Sequence, residues 1–401
     1  MDKHLDFTNK ALQSKKIAIS GSKSESNRML ILKEFYPNIT LKNLSNSKDT
    51  QVLQKALNSK EKTIDIGHTG TAMRFLTAFY AAQNGKTTIL TGSERMQKRP
   101  IKILVDALKM LGADITYLKN EGFPPLKING KTLEKDKISI AGNVSSQYIS
   151  ALLLLAPSLK NGLKLTLLGE ITSIPYIKMT LNLLDRLGIS TGWHDNTITV
   201  KPQKNISHKS ITIESDWSSA SYFYSLIALS GGDSVSLSTF FTNSIQGDSE
   251  LASLYTNFGV TTIFKENLIF LSKTENFSLK KHLKLDLNKT PDLAQTIAVT
   301  CVGLGISCTI TGLHTLKIKE TDRLVALKNE LQKLGAAIKI TDDSIQIKPK
   351  ELKANQFIET YDDHRMAMAF APLALKTPII IKNPSVVDKS YPDFWKDFQF
   401  L

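Results

Sequence analysis

A short cluster of small, polar and charged residues recurs six times along the chain, and an apolar run follows each copy. The copies lie at 24–28, 70–74, 145–147, 218–221, 291–295 and 363–366. The spacing from Gln147 through Ser219 and Asp292 to Arg365 is about 73 residues per step, longer than the usual solenoid period. This spacing predicts an array of α/β units, each of which places the N-terminus of a buried helix at an equivalent position.

These helix N-termini indicate a binding site for anions. Free backbone N–H groups and the positive end of the helix dipole favour negative charge at such a position. Arginines suit forked contacts with carboxylate and phosphate. Those in the clusters or in short polar motifs are Arg28, Arg74, Arg95, Arg99, Arg323 and Arg365. If several of these termini converge, the sequence predicts a small substrate with more than one negative charge.

A second repeated feature is a helix that ends in Leu-Gly or Phe-Gly and is followed by a strand. It occurs around Gly112, Gly188, Gly259 and Gly335. A glycine here closes a helix in the left-handed conformation, and the alternating residues that follow are typical of a strand. Together the two features predict units of strand, helix, strand, helix and a strand pair. Three units precede a boundary near 212–215, and three follow it.

Length and composition limit the class of protein. The 401 residues, 41% hydrophobic and 22% charged, predict a globular chain of two or three domains. The sequence has no apolar run of about 20 residues and no signal peptide, so we expect no membrane partner and a cytoplasmic location. Cys301 and Cys308 lie in an apolar run, which favours core positions over a disulfide or a metal pair.

The chain is strongly basic, with a net charge of +14 from 51 lysines and arginines against 37 acidic residues. The lysines are spread along the whole chain rather than grouped in one arm or stripe. This distribution argues against a nucleic-acid partner. The excess positive charge would still draw a small anionic substrate toward a binding site.

Six strings carry a resemblance to a known family. They lie at 21–28, 67–74, 95–100, 144–147, 319–324 and 361–366, and they include Ser-Lys-Ser-Glu-Ser-Asn-Arg, Lys-Glu-Thr-Asp-Arg-Leu and Asp-His-Arg-Met-Ala. With this ordered set the chain resembles the 5-enolpyruvylshikimate-3-phosphate (EPSP) synthases from about Lys16 to Phe394. The resemblance implies an α/β fold of two similar domains, each of three βαβαββ units, the inside-out α/β barrel of the enolpyruvyl transferases. The domains would be 22–213, and 1–21 plus 214–401, with the active site in the cleft between them.

The resemblance also implies an activity. EPSP synthases (3-phosphoshikimate 1-carboxyvinyltransferases) move the enolpyruvyl group of phosphoenolpyruvate onto the 5-hydroxyl of shikimate 3-phosphate. Phosphate is released through a tetrahedral addition–elimination intermediate, in the shikimate pathway to chorismate and the aromatic amino acids. Glyphosate competes with phosphoenolpyruvate in this family. No metal or organic cofactor is implied, and we expect a monomer whose partners are its two small substrates.

Four residues match the catalytic positions of the family. Lys23 would touch both substrates and serve in proton transfer. Asp292 would accept the proton of the 5-hydroxyl, and Glu320 would deliver or remove the proton of the methylene carbon. His364 would assist beside the bound phosphoenolpyruvate. The residues alone leave open that Asp292 is a helix N-cap and that His364 is structural.

The binding positions follow from the same match. The phosphoenolpyruvate contacts would be Lys23, Gly70, Thr71, Arg95, Gln147, Arg323, Arg365 and Lys389. The shikimate 3-phosphate contacts would be Lys23, Ser24, Arg28, Ser145, Ser146, Gln147, Ser173, Tyr176, Asp292, Thr315 and Lys319. Arg99 is interpreted as structural, and a core position for Tyr176 stays open. Thr315 stands where the family often has Asn, and Phe75 stands where it usually has Pro.

Two other functions compete with this interpretation. The sister transferase that acts on UDP-N-acetylglucosamine shares the fold, but it usually carries Lys-Asn near its start and a reactive Cys before the equivalent of Arg95. Here Ser24 follows Lys23, and no Cys precedes Cys301. A non-catalytic relative that binds anions or nucleic acid would need the arginines alone. Retention of the four proton-transfer residues therefore favours an enzyme.

Overall fold

Helices and strands alternate along the chain, and each of the six polar clusters opens a helix. The computed structural model describes residues 2–8, 10 and 15–398, and its elements are numbered in chain order. The α-helices are α1 (Lys23–Phe35), α2 (Lys48–Leu57), α3 (Gly70–Ala81), α4 (Lys102–Met110), α5 (Ser146–Leu155), α6 (Ile174–Arg186), α7 (Trp217–Leu229), α8 (Leu251–Leu254), α9 (Ala294–Gly303), α10 (Arg323–Lys333), α11 (His364–Phe370) and α12 (Phe394–Phe398). The predicted helix starts are confirmed.

The strands are short and numerous. They are β1 (Lys3–Leu5), β2 (Lys15–Ile17), β3 (Ile39–Lys42), β4 (Thr63–Asp65), β5 (Thr87–Thr91), β6 (Asp114–Tyr117), β7 (Leu126–Asn129), β8 (Lys137–Ala141), β9 (Leu163–Leu168), β10 (Thr191–His194), β11 (Thr197–Val200), β12 (Lys209–Thr212), β13 (Ser234–Ser238), β14 (Val260–Lys265), β15 (Leu268–Lys273), β16 (His282–Asp286), β17 (Ser307–Thr311), β18 (Ala337–Ile340), β19 (Ile345–Lys348), β20 (Gln356–Ile358) and β21 (Ile379–Ile381). Short 3-10 helices lie at Met96–Lys98, Ala156–Ser158, Gly247–Glu250, Tyr255–Phe258, Pro291–Leu293, His314–Ile318, Ala371–Leu375 and Pro384–Lys389.

The chain divides into two compact units. The continuous unit is Lys23–Ile213, and the discontinuous unit joins Met1–Ser22 to Glu214–Leu401. Strand β2 of the first segment pairs in parallel with β13 of the second, with Ile17 opposite Leu237. A sheet that both segments build therefore holds the discontinuous unit together.

Four sheets share one four-stranded topology. Their strand orders are β4-β5-β7-β6, β8-β9-β11-β10, β2-β13-β15-β14 and β16-β17-β19-β18. In each sheet the first two strands are parallel, and the second strand pairs antiparallel with its other neighbour. Parallel pairs need a long crossover, whereas the last two strands of each sheet are joined directly and run antiparallel. This is the predicted βαβαββ unit.

The other two sheets are smaller in the part of the chain that the structure describes. Strand β3 pairs in parallel with β12 in the continuous unit. In the discontinuous unit, β21 lies between β1 and β20. With its smaller sheet, each unit has three sheets among the described residues. The predicted architecture of two similar domains is confirmed, although these two repeats hold fewer strands than the pattern.

The helices that follow the polar clusters are deeply buried. Every residue of α7 except Ser218 is buried, and α5 is buried from Tyr148 to Leu155. A helix that is apolar on all sides must be surrounded by other elements. Helices α7, α9 and α11 pack together in one unit, and α3 packs against α5 in the other. Strands such as β8 and β9 bury alternate residues, so one face of their sheet packs against the helices and the other faces outward.

Glycines end the helical segments that lead into the strand pairs. Gly112 (φ +106°), Gly188 (φ +85°), Gly259 (φ +73°) and Gly335 (φ +104°) all have positive φ. They follow α4, α6, the 3-10 helix Tyr255–Phe258 and α10. A side chain would be strained in this conformation. The predicted left-handed helix ends are confirmed.

Candidate active site

In the discontinuous unit, the N-termini of α7, α9 and α11 lie together. Arg365, the second residue of α11, donates from Nη2 to Oγ of Ser218, near the start of α7, at 3.2 Å. Its Nη1 donates to the carbonyl oxygen of Asp292, just before α9, at 3.3 Å. Residues that are distant in sequence therefore meet, as the repeated clusters predict.

Asp292 is a buried carboxylate that contacts three cations. Arg323 Nη1 lies 2.9 Å and Lys319 Nζ 3.5 Å from its Oδ1, and Arg365 Nη2 lies 3.2 Å from its Oδ2. Opposite charges at this range stabilise the ionised form of the carboxylate. Asp292 is the second residue of the 3-10 helix Pro291–Leu293 and does not occupy an N-cap position. The N-cap of this 3-10 helix is Thr290, and the role of Asp292 in proton transfer stays a prediction.

Arg323, the first residue of α10, lies at the centre of this cluster and is only 2% exposed. Its Nε and Nη2 donate to the two oxygens of Asp363 at 2.6 and 3.2 Å, and Nη2 also donates to Oε2 of Glu320 at 3.0 Å. Burial lowers the pKa of Arg323, but the surrounding carboxylates, Asp363 foremost, outweigh burial and hold this pKa above its ordinary value. The guanidinium therefore stays charged despite its burial.

Glu320 connects Lys389 to the cluster. Its Oε1 accepts a hydrogen bond from Lys389 Nζ at 2.7 Å, while Oε2 faces Arg323. The side chains of Glu320 and Lys389 are 18% and 20% exposed, whereas Asp363 is fully buried. Glu320 is therefore a carboxylate that a small molecule could reach.

His364 is buried beside the acidic residue that opens α11. Its Nδ1 lies 3.7 Å from Oδ1 of Asp363, and the residue is 2% exposed. Asp363 also accepts the backbone N–H of Arg365 at 2.9 Å, which is the N-cap interaction of this helix. This position fits a structural histidine as well as an assisting one, so the catalytic role of His364 stays a prediction.

Thr315 has a buried hydroxyl near the same cluster. It lies in the 3-10 helix His314–Ile318, which packs against Pro291–Leu293. Among the described residues its Oγ1 has no hydrogen-bond partner. A buried hydroxyl without a partner costs about 1–3 kcal/mol. A ligand that bonds to this oxygen would recover that free energy.

In the continuous unit, Lys23 is tied to the start of α3. Its Nζ lies 3.3 Å from Oδ2 of Asp49, whose Oδ1 accepts from Thr69 Oγ1 at 3.2 Å. Thr69 directly precedes Gly70, the first residue of α3. The side chain of Lys23 is 19% exposed, so its ammonium group is accessible beside this helix start.

The starts of α3 and α5 also meet. Gln147 Nε2 donates to Oγ1 of Thr71 at 3.2 Å. Ser145 caps α5 by accepting the backbone N–H of Gln147 at 3.4 Å, and Ser146 is the first residue of this helix. The predicted contacts around Gly70 and Thr71 are thus brought together with those of the Ser-Ser-Gln string.

Gly70 leaves space for two guanidinium groups. A Cβ at this position would lie 2.7 Å from Nη1 of Arg99 and 2.9 Å from Nη1 of Arg74. Burial, with a further contribution from the charge of Arg99, lowers the pKa of Arg74 to about 10. Arg99, interpreted from the sequence as structural, therefore lies directly against the predicted phosphoenolpyruvate contact Gly70.

Arg28 is held inside the continuous unit. Its Nε donates to Thr180 Oγ1 at 2.8 Å, and its Nη2 donates to Ser150 Oγ at 3.0 Å. Its Nη1 donates to the carbonyl oxygen of Ser24 at 2.7 Å, and its Cζ lies 5.6 Å from the centre of the Phe75 ring. Burial lowers the pKa of Arg28 to about 10. The guanidinium therefore joins α1 to its neighbours, and its role toward a substrate stays a prediction.

Three more predicted binding residues belong to the continuous unit. Arg95 is exposed, directly before the 3-10 helix Met96–Lys98. Ser173 precedes α6 in the left-handed conformation, with φ +54°. Tyr176 is half-buried in the first turn of α6, and its carbonyl oxygen accepts from Arg28 at 3.4 Å. The backbone N–H of Tyr176 donates to the carbonyl oxygen of Ser173 at 3.1 Å. Within the described ranges, no hydrogen bond joins Arg95 to the other predicted residues.

Three acidic residues without a predicted role belong to these clusters. Asp363 pairs with Arg323, Asp49 pairs with Lys23, and Asp248 accepts a short hydrogen bond from Ser218 Oγ. Asp363 stands inside a matched string, which is a usable signal. Asp49 resembles an ordinary acidic residue in the first turn of a helix, and Asp248 resembles a loop aspartate. Only the packing of the folded chain distinguishes Asp49 and Asp248 from ordinary surface aspartates.

Two classes of feature are absent from residues 2–8, 10 and 15–398. They contain no group of three or more His, Cys, Asp or Glu side chains that could hold a metal ion. None of their helices has the length and apolar character needed to cross a membrane. Cys301 and Cys308 are both buried free thiols, as their apolar surroundings predict.

The sequence is similar to those of known proteins over nearly its whole length. The profile of the family EPSP synthase (3-phosphoshikimate 1-carboxyvinyltransferase) matches residues 38–398. A 3-phosphoshikimate 1-carboxyvinyltransferase of Bacteroides fragilis (strain YCH46) is 50% identical over 389 residues, which cover 96% of this chain and 94% of that protein. The protein of the same name from Haemophilus influenzae (strain Rd) is 39% identical over 420 residues, which cover 96% and 95%.

Solved structures share the fold. EPSP synthase from Acinetobacter baumannii matches with a TM-score of 0.79 at 21% identity, over 99% of this chain and 97% of that chain. The enolpyruvyl transferase NikO from Streptomyces tendae matches with a TM-score of 0.74 at 12% identity, over 99% and 96%. At these identities the likeness concerns the fold alone.

Proposed function

The chain belongs to the EPSP synthase family, and on this basis we propose that it transfers the enolpyruvyl group of phosphoenolpyruvate to shikimate 3-phosphate. The acceptor is the 5-hydroxyl, and the second product is phosphate. The observation that carries this proposal is one cluster in which Asp292 and Glu320 are both paired with cations around Arg323. A protein that only binds anions needs the cations but has no use for two carboxylates among them.

The cations of the cluster bind the substrate anions. Arg323, Arg365 and Lys389 hold the carboxylate and phosphate of phosphoenolpyruvate. The guanidinium groups of the two arginines make forked bonds with such anions, and the ammonium group of Lys389 adds a point charge. These cations now contact Asp292 and Glu320 at 2.7–3.2 Å. An incoming anion would share them, weakening their hold on the two carboxylates, which would then bind protons more readily.

The two carboxylates move the protons of the reaction. Asp292 takes the proton of the 5-hydroxyl while the hydroxyl oxygen forms its bond to C2 of phosphoenolpyruvate. Glu320, after taking up a proton, delivers it to C3, which becomes a methyl group in the tetrahedral intermediate. Elimination then breaks the bond between C2 and the phosphate oxygen. C3 returns a proton to Glu320, and Asp292 gives its proton to the departing phosphate. Positioned acid–base groups of this kind contribute roughly 10²–10⁴-fold to rate.

The continuous unit supplies further contacts. Lys23, held beside the start of α3 by Asp49, touches both substrates in this proposal. Gly70, Thr71 and Arg95 contact phosphoenolpyruvate. The contacts for shikimate 3-phosphate are Ser24, Arg28, Ser145, Ser146, Gln147, Ser173 and Tyr176, with Asp292, Thr315 and Lys319 from the discontinuous unit.

The test is phosphate release from phosphoenolpyruvate, measured with each candidate acceptor in turn. We expect release with shikimate 3-phosphate, with an enolpyruvyl product found by mass spectrometry in equal amount. We expect none with UDP-N-acetylglucosamine and none without an acceptor. Release with the nucleotide sugar alone would instead assign the sister activity, and release with no acceptor would reject a transferase.

A further inference from the structure

Asp248 is a buried carboxylate that none of the roles above uses. It lies in the 3-10 helix Gly247–Glu250 and is 8% exposed. Its Oδ2 accepts a short hydrogen bond from Oγ of Ser218, the second residue of α7. Burying a carboxylate is costly unless it gains a strong partner. Burial of Asp248 therefore costs free energy, which the hydrogen bond from Ser218 offsets in part.

A chain of contacts leads from this carboxylate to a predicted phosphoenolpyruvate contact. Ser218 Oγ accepts from Nη2 of Arg365 at 3.2 Å, and the same Nη2 lies 3.2 Å from Oδ2 of Asp292. Arg365 Nη1 donates to the carbonyl oxygen of Asp292 at 3.3 Å. The guanidinium is therefore held on one side by Asp292 and on the other by Ser218.

The direction of these hydrogen bonds depends on the charge of Asp248. An ionised carboxylate only accepts hydrogen bonds, so the single hydroxyl hydrogen of Ser218 must point at Asp248. The lone pairs of Ser218 then face the N–H groups of Arg365. If Asp248 were protonated, it could donate to Ser218, and the hydroxyl hydrogen would turn toward the N–H groups of Arg365 and repel them.

We propose that Asp248 is a positioning residue, which fixes the guanidinium of Arg365 for an anionic ligand through the hydroxyl of Ser218. The identity of that ligand as phosphoenolpyruvate rests on the proposed function. The fixed geometry of Arg365 does not rest on the proposed function, because it follows from the contacts alone. Asp248 touches neither reacting atoms nor substrate in this scheme.

The surroundings of Asp248 make its control over Arg365 sensitive to pH. Burial, followed by the charge of Asp292, raises the pKa of Asp248 to about 6, although Arg365 and the hydrogen bond from Ser218 act to lower this pKa. The charge of Asp216, the N-cap of α7, also raises this pKa. The carboxylate is thus ionised, and Arg365 is ordered, above about pH 6. Both are lost as the pH falls through that value.

Two readouts test this role. The first is the KM for phosphoenolpyruvate at pH 7.5, which should rise at least fivefold in Asp248→Asn and in Ser218→Ala, with kcat within about threefold of wild type. The second is the side-chain NMR signal of Arg365, assigned by its loss in Arg365→Lys. This signal should shift with a midpoint near pH 6 in wild type and should not titrate in Asp248→Asn.

Asp216→Asn is the matched control. It removes a carboxylate from the same helix start, and asparagine still caps α7 by accepting from the backbone N–H of Ser219. We expect a wild-type KM and a retained pH transition of the Arg365 signal. If Asp216→Asn raised the KM as much as Asp248→Asn, the effect would be general electrostatics, and the proposal would fail.

The remaining outcomes are also decisive. An unchanged KM and an unchanged Arg365 signal in Asp248→Asn would overturn the proposal. If Asp248→Asn does not fold, Ser218→Ala decides by the same two measurements, because this residue is only partly buried. If wild type has no transferase activity, the proposed function fails, and the pH transition of the Arg365 signal still accepts or rejects the positioning role.

Discussion

Single side chains in the discontinuous unit act through the pairing of buried charges. Arg323 bonds to three carboxylates, and two of its donors engage the fully buried Asp363. A buried pair gains little over an apolar pair of the same shape, but the loss of one partner leaves the other charge uncompensated. The pair is therefore more important for keeping Arg323 in place than for net stability.

We expect Asp363→Asn to lower the free energy of unfolding by about 3 kcal/mol, the low end of the range for breaking a buried pair, since Arg323 keeps two other carboxylates. Asparagine preserves the volume and the N-cap of α11, so the loss reports the charge. The matched control is Asp342→Asn, which breaks the exposed pair of Asp342 with Lys317 and should leave stability unchanged. Urea denaturation measures both, and equal stabilities of the two variants would contradict the pairing described here.

Sequence reasoning reached part of this site and not the rest, for a physical reason. Asp292, Glu320 and the arginines stand in strings whose residue types suit proton transfer and anion binding. Asp49 and Asp248 do not stand in such strings. Their partners Lys23 and Ser218 lie about 26 and 30 residues away along the chain, and only the folded structure brings them together. Sequence reasoning also missed Arg99 at Gly70, since nothing in the string showed where its guanidinium lies.

Whole elements follow from local signals more completely. Polar clusters before apolar runs mark the six helix starts, and glycines mark the helix ends before the strand pairs. The two small sheets were less predictable. A strand of three residues such as β1 or β20 offers too few alternating positions to show a period of two, and its pairing depends on distant partners.

The glycines that end helices allow a test in which backbone strain is separated from steric crowding of an added side chain. A Cβ at Gly112 would meet no atom within 4 Å, yet its φ is +106°. We expect Gly112→Ala to destabilise the protein by about 1–2 kcal/mol through backbone strain alone. Gly192→Ala, within β10, is the control, because it has the same free space without a positive φ. Denaturant unfolding of both variants provides the comparison, and a neutral Gly112→Ala would show that the left-handed end is not required.

At the scale of the whole molecule, the sequence carries a net charge of +14 while its proposed substrates are anions. A field of this sign raises the rate of encounter with anionic ligands and weakens as salt screens it. The lysines are dispersed, so the effect belongs to the overall charge rather than to one patch.

We expect kcat/KM for phosphoenolpyruvate to fall several-fold between 0.05 and 0.5 M potassium chloride, with a smaller change in kcat, since the Debye length shrinks from roughly 14 to 4 Å. Initial rates over this range provide the measurement. Sucrose at matched viscosity controls for diffusion and should have little effect. A kcat/KM independent of salt would mean that long-range attraction plays no part.

The most direct test of the proposed chemistry is the reaction in deuterium oxide. If C3 of phosphoenolpyruvate gains a proton from Glu320 and later loses one, the product of wild type must carry deuterium in its methylene group. Glu320→Gln should form that product at least about 100-fold more slowly. The control is Glu250→Gln, which changes an exposed glutamate close in sequence to Asp248 and should match wild type. Mass spectrometry of the product would decide. Deuterium in the wild-type product and its slow appearance with Glu320→Gln is the predicted result, and a product formed at full rate without deuterium would contradict the addition–elimination mechanism.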